Sequence, residues 1–341
     1  TAIDTELYKI LAFRMLEQAG VFVAVNTLLT SAIVHNARIQ GVITESRSGR
    51  EVIMANSFVD CTGYGDLCAH AGAEFTVPND YDSCNSFGLA NASIDDYYKF
   101  LKSHNAVGQM CRGPRSGEEN KFVRMGAEQL DIPELQAEAN KIGMSMITTT
   151  VHDNYLMYIK CNYKIPGTVL NRDDVARAEI EIRNRMARAA ELFREYVPGF
   201  EKAFIARTSP SLCIRRGRQI ICDYDITHED VIDGRHFDDD TFVYGFHDWA
   251  PRYQIKEGGT YGIPYRALCV QDIENLYAAG MMVTSDHRAH MSTRNTVSCM
   301  GQGQAAGTAA ALCAIKNCGT RDLKYLDLKR ELLKARVYFE S

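Results

Sequence analysis

The stretch Met300-Gly-Gln-Gly-Gln-Ala-Ala-Gly-Thr-Ala-Ala-Ala311 constrains this chain more than any other feature. It has almost no bulky side chains, so it buries surface only by lying close against something flat. Gly303, Gly307 and Ala311 recur every four residues, which puts a small-residue stripe on one face of a helix. The spacing predicts a helix starting near Gly301 with this stripe packed on a sheet. Unpaired amides and the positive end of the helix dipole gather at such a start, ready for an anion or a polar carbonyl edge. The pattern is G-x-G-x-x-x-G, not the G-x-G-x-x-G of a first dinucleotide-binding turn, which also follows directly on a strand. Here a polar loop separates the glycines from the apolar run Asn275-Leu-Tyr-Ala-Ala-Gly280.

That loop, Thr284-Ser-Asp-His-Arg-Ala-His-Met-Ser-Thr-Arg294, carries Asp286, His287, Arg288, His290 and Arg294. Such a density of polar groups is either a solvated surface loop or, given its place between two glycine-bearing elements, a site beside a ligand, and the latter is the expectation. Histidine titrates near neutrality, so His287 and His290 are the candidate general acids or bases. Arg294 is the candidate for orienting an anionic substrate or stabilising an oxyanion. No further ligands cluster near Asp286, His287 and His290, so no metal is expected. Upstream, Phe58-Val-Asp-Cys-Thr-Gly63 reads as a buried strand ending in a glycine turn, with Asp66 just beyond. By composition this is most simply a plain turn; the alternative is that the missing side chain at Gly63 lets a ligand approach the backbone. The basic knot Arg215-Arg-Gly-Arg218 is either surface charge or part of a site, and Arg218 and His247 are second-line candidates.

Residues 1–19 have helical apolar spacing, stopped by Gly20. The runs Val21–Val25, Thr27–His35, Ile39–Ser46 and Val52–Phe58 predict strands in a small antiparallel meander. From residue 76 the character changes. A helix is expected at Ile94–Lys102, a loop over 105–120 and strand over Thr148–Lys164. A long amphipathic helix is expected over Asn171–Tyr196, capped by Asn171. Glycine-punctuated, β-rich sequence returns after 210. The expectation is a discontinuous domain, 1–75 plus 210–330, interrupted by an inserted domain at 76–209.

Composition narrows the function classes. Apolar residues make up 46% and charged residues 24%, as in an ordinary globular protein. A net charge of −5 argues against a general binder of nucleic acid or anionic membrane. No apolar run reaches the length of about 18 residues that reads as a membrane-spanning helix. The 11 cysteines are scattered singly, without a CxxC pair. That pattern predicts buried, reduced thiols in a cytoplasmic protein.

Taken in order, the motifs resemble the FAD-dependent oxidoreductase family of the glutathione-reductase-like superfamily, distantly related to fumarate-reductase flavoproteins. They are Val59-Asp-Cys-Thr-Gly-Tyr-Gly-Asp-Leu-Cys-Ala69 with Ala71-Gly-Ala73, Val197-Pro-Gly-Phe200, Arg215-x-x-Arg218-x-Ile220 and Tyr224-x-Ile-Thr-x-Glu-Asp230. Ile263-Pro-Tyr-Arg-Ala-Leu268, Asn275–Gly280, Ser285-Asp-His287, Arg294 and Gly301–Ala310 complete the set. Tyr64 and Cys222 depart from the family pattern. The resemblance implies an α/β, FAD/NAD(P)-binding-type domain with an inserted α+β substrate domain. It also implies that the domain is incomplete at its N-terminus, because the family's GxGxxG element is not among these residues. FAD would be the cofactor, contacted by Thr62, Gly63, Asp66, Gly280, Asp286, Gly301, Gln302 and Gly303. The helix holding Gly301 would direct its N-terminus at the pyrimidine edge of the flavin. Arg218 and His247 would meet a small-molecule substrate bound between the flavin and the 76–209 domain. Hydride would pass at flavin N5, with His287 or His290 moving the proton. The alternative is a non-catalytic fragment or subunit without cofactor, acting as a binding or structural module.

Overall fold

The structure, a computed structural model, describes residues 2–108, 110–126, 129–247 and 254–340. The chain opens on helix α1 (Thr5–Gln18), followed by strands β1 (Leu28–His35), β2 (Arg38–Ser46) and β3 (Gly49–Met54). Strand β4 (Phe58–Asp60), helix α2 (Asp66–His70) and strand β5 (Phe75–Thr76) come next. Then come β6 (Ser83–Ala90), α3 (Ile94–Ser103), β7 (Cys111–Arg115), β8 (Glu118–Met125) and α4 (Pro133–Lys141). They lead into β9 (Met144–Thr149), β10 (Tyr155–Tyr163), the long α5 (Arg172–Tyr196) and β11 (Phe204–Thr208). The rest holds β12 (Gln219–Ile220), α6 (His228–Ile232), β13 (Asp240–Tyr244), β14 (Tyr261–Pro264) and β15 (Leu276–Ala278). Helices α7 (His290–Thr293), α8 (Thr296–Lys316) and α9 (Tyr325–Lys334) close the chain.

Contacts divide these elements into two compact units: Thr1–Val23 with Tyr81–Arg215, and Ala24–Asp80 with Arg216–Ser341. The expected division, 1–75 with 210–330 around 76–209, grouped α1 with the β-rich flanks. Instead α1 belongs with Tyr81–Arg215. Its cap residue explains the attachment. The Asp4 carboxylate accepts from the amides of Glu6 and Leu7 and also meets His152 Nε2 at 3.0 Å. The helix buries none of its residues, so its apolar spacing does not mark a core face here. Val21–Val25, expected as strand, is not one, whereas Gly20 stops α1 in the left-handed region at φ 66°.

The unit containing Tyr81–Arg215 is built on a six-stranded sheet of order β11-β6-β10-β9-β8-β7, antiparallel throughout. Helix α5 covers it. The Asn171 side chain accepts from the amides of Asp173 and Asp174, and Ala178, Ile182, Met186, Ala189, Ala190, Leu192 and Phe193 form the buried face. The expected loop at 105–120 is in fact part of a hairpin. Ser116 and Gly117 both take positive φ, the two-residue turn that matches strand twist, and join β7 to β8. Arg115 beside this turn is buried and ion-paired to Asp95 at 2.5 Å and Asp153 at 2.6 Å.

The other unit has its core around the parallel pair β4–β15, with Phe58, Val59 and Asp60 opposite Leu276, Tyr277 and Ala278. The meander β1-β2-β3 is antiparallel. Helix α8 packs on β4, β13 and β15. Its buried stripe is Ser298, Gln302, Ala305, Ala306, Ala309, Ala310 and Cys313. The expected Gly303–Gly307 stripe lies off this face. A methyl group built on either glycine meets no atom within 4 Å. Gly301 is the packed one, since a Cβ there would lie 2.7 Å from the Phe242 ring. The alanines, which share the helical period, are the residues small enough to sit on the strands. The Tyr224–Asp230 motif is a capping box. Asp230 is buried, takes the Thr227 amide at 3.0 Å and the Tyr224 hydroxyl at 2.8 Å, and pairs with Arg235 at 3.0 Å. Burial opposes its ionisation, but these donors win and hold its pKa below the usual carboxylate value.

Two stability predictions follow from this packing. Gly301→Leu drives a side chain into Phe242 and costs roughly 1–3 kcal/mol, whereas Gly307→Ala, in open space on a helix, gains up to about 1 kcal/mol. Denaturant unfolding of both variants checks the order, and a neutral Gly301→Leu overturns it. Asp230→Asn destabilises by about 1–3 kcal/mol at neutral pH. Because the folded pKa is depressed, the carboxylate's contribution is present in full above the unfolded value of about 3.9. It is lost as pH falls through the folded value, so the gap between Asp230→Asn and the parent closes in acid.

Candidate functional site

The carboxyl ends of β4 and β15 lie side by side because the strands pair in parallel. Beyond β4 the chain turns sharply. The buried Asp60 carboxylate accepts from the Thr62 amide and from the Cys68 amide, each at 2.9 Å. Thr62 Oγ1 in turn accepts from the Asp66 amide at 3.0 Å. Gly63 sits in this turn at φ 79°, and a Cβ there would come 3.2 Å from Met281 Cε. Beyond β15, Gly280 takes φ 115° and donates its amide to Gln302 Oε1 at 2.8 Å. Both strands therefore end in glycines whose backbones other residues rarely adopt. In α/β proteins, ligands bind outside the carboxyl ends of parallel strands. Thr62 and Cys61 are exposed there.

The loop leaving β15 carries the ionisable groups. His287 is exposed, and its Nδ1 lies 2.7 Å from Asp80 Oδ2. The same oxygen accepts from Arg216 Nη1 at 2.6 Å, and Arg216 Nη2 donates to the Ser285 carbonyl at 2.5 Å. Burial works against the Asp80 charge, yet the His287 hydrogen bond and the Arg216 cation hold its pKa below the usual carboxylate range. An ionised Asp80 can only accept, so His287 Nδ1 carries the proton and Nε2 is the basic atom. Neither Asp80 nor Arg216 stands near the loop in sequence. An acidic residue at the edge of a polar segment and a basic knot are their only signals.

The other expected site residues divide clearly. Asp286 spends one oxygen on the amides of Arg288 and Ala289, each at 2.8 Å, and the other on the His228 amide, so it shapes the loop. His290 is wholly buried, with Nδ1 3.5 Å from Ser285 Oγ, and so belongs to the core. Arg294 is half-buried at the end of α7. Arg218 and Asp66, expected at substrate and cofactor respectively, bind each other at 2.7 Å, and Arg218 also donates to the Tyr64 carbonyl at 3.0 Å. His247 is buried, its ring edge-on to His228 with centroids 5.9 Å apart. Gln302 is wholly buried and its Nε2 donates to the Thr293 carbonyl at 2.9 Å, so its side chain clamps α8 to Gly280. Gly301, Gln302 and Gly303 lie inside α8, which begins at Thr296. The exposed amides of the helix start are thus those of Thr296 and its neighbours. Asn295 leaves them uncapped, because its side chain donates instead to Met291 O at 2.8 Å and Ser292 O at 3.1 Å.

Among the described residues, no helix is long and apolar enough to cross a membrane. No curated protein sequence matches the chain. Among solved structures, it is similar to a geranylgeranyl bacteriochlorophyll reductase-like protein from Thermoplasma acidophilum, at 14% identity and TM-score 0.48, over 97% of this chain and 59% of that one. It is similar to p-nitrophenol 4-monooxygenase from Pseudomonas putida, at 10% identity and TM-score 0.41, over 98% and 60%. It is also similar to a myxobacterial chondrochloren halogenase, at 10% identity and TM-score 0.41, over 96% and 55%. The chain thus spans between 55% and 60% of the length of these structures. The family model for FAD dependent oxidoreductases matches residues 1–332. The chain belongs to the FAD dependent oxidoreductase family, and its cofactor is FAD.

Proposed function

We propose that this chain carries the flavin site of an enzyme that exchanges hydride with a small organic substrate. One observation carries the reading: the parallel strands β4 and β15 end together in Gly63 and Gly280, both with left-handed backbone. Neither presents a side chain, so a flat ring can approach the peptide groups, and the donor set fits FAD. When bound, FAD supplies hydride acceptance or donation at N5. The protein's own groups do the rest. The Thr62–Gly63 turn and Gly280 hold the ring. The uncapped start of α8 supplies the positive end of a helix dipole, which favours the negative charge of a reduced flavin. His287 takes or gives the substrate proton at Nε2, with Asp80 fixing its tautomer and Arg216 keeping Asp80 charged. Arg294 orients an anionic group on the substrate. His290 is given no chemical role, because its ring is sealed in the core.

The test begins with a spectrum of the purified chain incubated with FAD. A yellow protein that retains flavin absorbance at about 450 nm through gel filtration supports the reading. A colourless one favours a non-catalytic binding or structural module. In flavin-loaded protein, His287→Gln should slow substrate-dependent flavin reduction or oxidation about 10²–10⁴-fold while leaving the flavin bound. His290→Ala should instead lower the melting temperature. Parental rates in His287→Gln would remove the proton role from this loop.

A further inference from the structure

The six-stranded sheet carries a pair of cysteines for which the flavin chemistry has no use. Cys84 lies near the start of β6. Cys213 lies past β11, where the chain returns to β6 after an excursion through Pro210–Leu212. The two residues exchange both backbone hydrogen bonds, Cys84 N to Cys213 O at 3.0 Å and Cys213 N to Cys84 O at 2.7 Å. A hydrogen-bonded antiparallel pair sets its Cα atoms about 5.5 Å apart with both side chains on one face. A disulfide spans Cα separations of about 4.4–6.8 Å. The Cα separation of such a pair lies within that range, a small approach of the Cβ atoms would close the bond, and neither cysteine is in a disulfide.

The surroundings favour reaction. Cys84 is buried and Cys213 is exposed, so a solute reaches the pair at Cys213. Asn162 on β10 is the register partner of Cys84, and Lys160 is the partner of Ser86, which places Lys160 on the Cys84 face. Arg215 follows Cys213 by two positions and donates to Asn162 Oδ1 at 3.1 Å. Cys213, Lys160, Arg215, Tyr158 and, across the sheet, Cys161 are titratable groups around Cys84. The hydrogen bond from Cys213, aided by the two cations against the opposing effect of burial, holds the Cys84 thiol below the usual cysteine value. Cys161, on the opposite face of the same sheet, is pushed up to about 12 by burial. The two buried thiols of this sheet are thus shifted in opposite directions.

We propose that Cys84 and Cys213 form a redox-active dithiol that closes reversibly by exchange with small disulfides of the glutathione type. Cys213 gives up its proton and its thiolate sulfur attacks one sulfur of the small disulfide, whose S–S bond breaks, and the departing thiolate takes up a proton as the first thiol. The Cys84 thiolate then attacks the Cys213 sulfur of the mixed disulfide and releases the second thiol. The protein gives up two electrons and two protons, and the small disulfide becomes two thiols. Reduction by a small dithiol runs the same steps backwards.

Peptide mapping by mass spectrometry tests this on the reduced full chain incubated with oxidised glutathione. The expected product is one peptide pair joined through Cys84 and Cys213, lost again on adding dithiothreitol. Cys84→Ser should stop at glutathione on Cys213, and Cys213→Ser should leave Cys84 reduced. Arg215→Gln should slow closure by about tenfold. Cys161→Ser should change nothing. Glutathione on exposed Cys61 or Cys111 with Cys84 and Cys213 still reduced would overturn the proposal, as would closure through any other cysteine pair or closure at parental speed in Arg215→Gln.

Discussion

Parallel pairing of β4 with β15 is the contact on which the candidate site depends. In sequence, the whole Tyr81–Arg215 segment separates the two strands, so nothing local holds them together. Buried polar side chains do that work. Asn275 accepts from the Ile39 amide at 2.9 Å and donates to the carbonyls of Ile39 at 2.9 Å and Asn56 at 3.1 Å, which ties the start of β15 to the meander. Asp60 does the same for the turn after β4, and Gln302 for the turn after β15. Each of these groups would cost about 1–3 kcal/mol if buried without its partners. Through these bonds to backbone they fix the two strand ends and their glycine turns.

How much of this is legible in the sequence depends on how far apart the cooperating residues lie. Helix α5 is readable because its cap, Asn171, and its apolar face lie in one continuous stretch. The strand-to-glycine turns at Gly63 and Gly280 are readable for the same reason. The phase of α8 is not, because glycines and alanines both recur at helical spacing and only the neighbouring Phe242 decides which face is buried. The β7–β8 hairpin hides in a polar stretch whose one strong signal is Ser116-Gly117. In the loop after β15, composition marks a polar segment but cannot separate exposed His287 from buried His290. Asp80 and Arg216, which position His287, are invisible from the loop because their contact is purely tertiary.

The basic knot shows how one short motif is divided among partners. Arg215 binds Asn162 within one unit, whereas Arg216 and Arg218 serve the other. Arg216 is buried against Asp80, and Arg218 closes the Thr62–Asp66 turn through Asp66 and the Tyr64 carbonyl. A buried guanidinium is tolerated only where its carboxylate and carbonyl partners are all in place. The knot therefore acts as a set of staples around the glycine turn and the histidine loop.

Amide hydrogen exchange with and without FAD tests most directly whether the ends of β4 and β15 form the flavin site. Saturating FAD should slow exchange at Thr62–Gly65 and at Gly280–Met282, with Cys84–Ala90 in the separate antiparallel sheet unchanged. Flavin binding that leaves both glycine turns exchanging at the free rate would contradict the assignment.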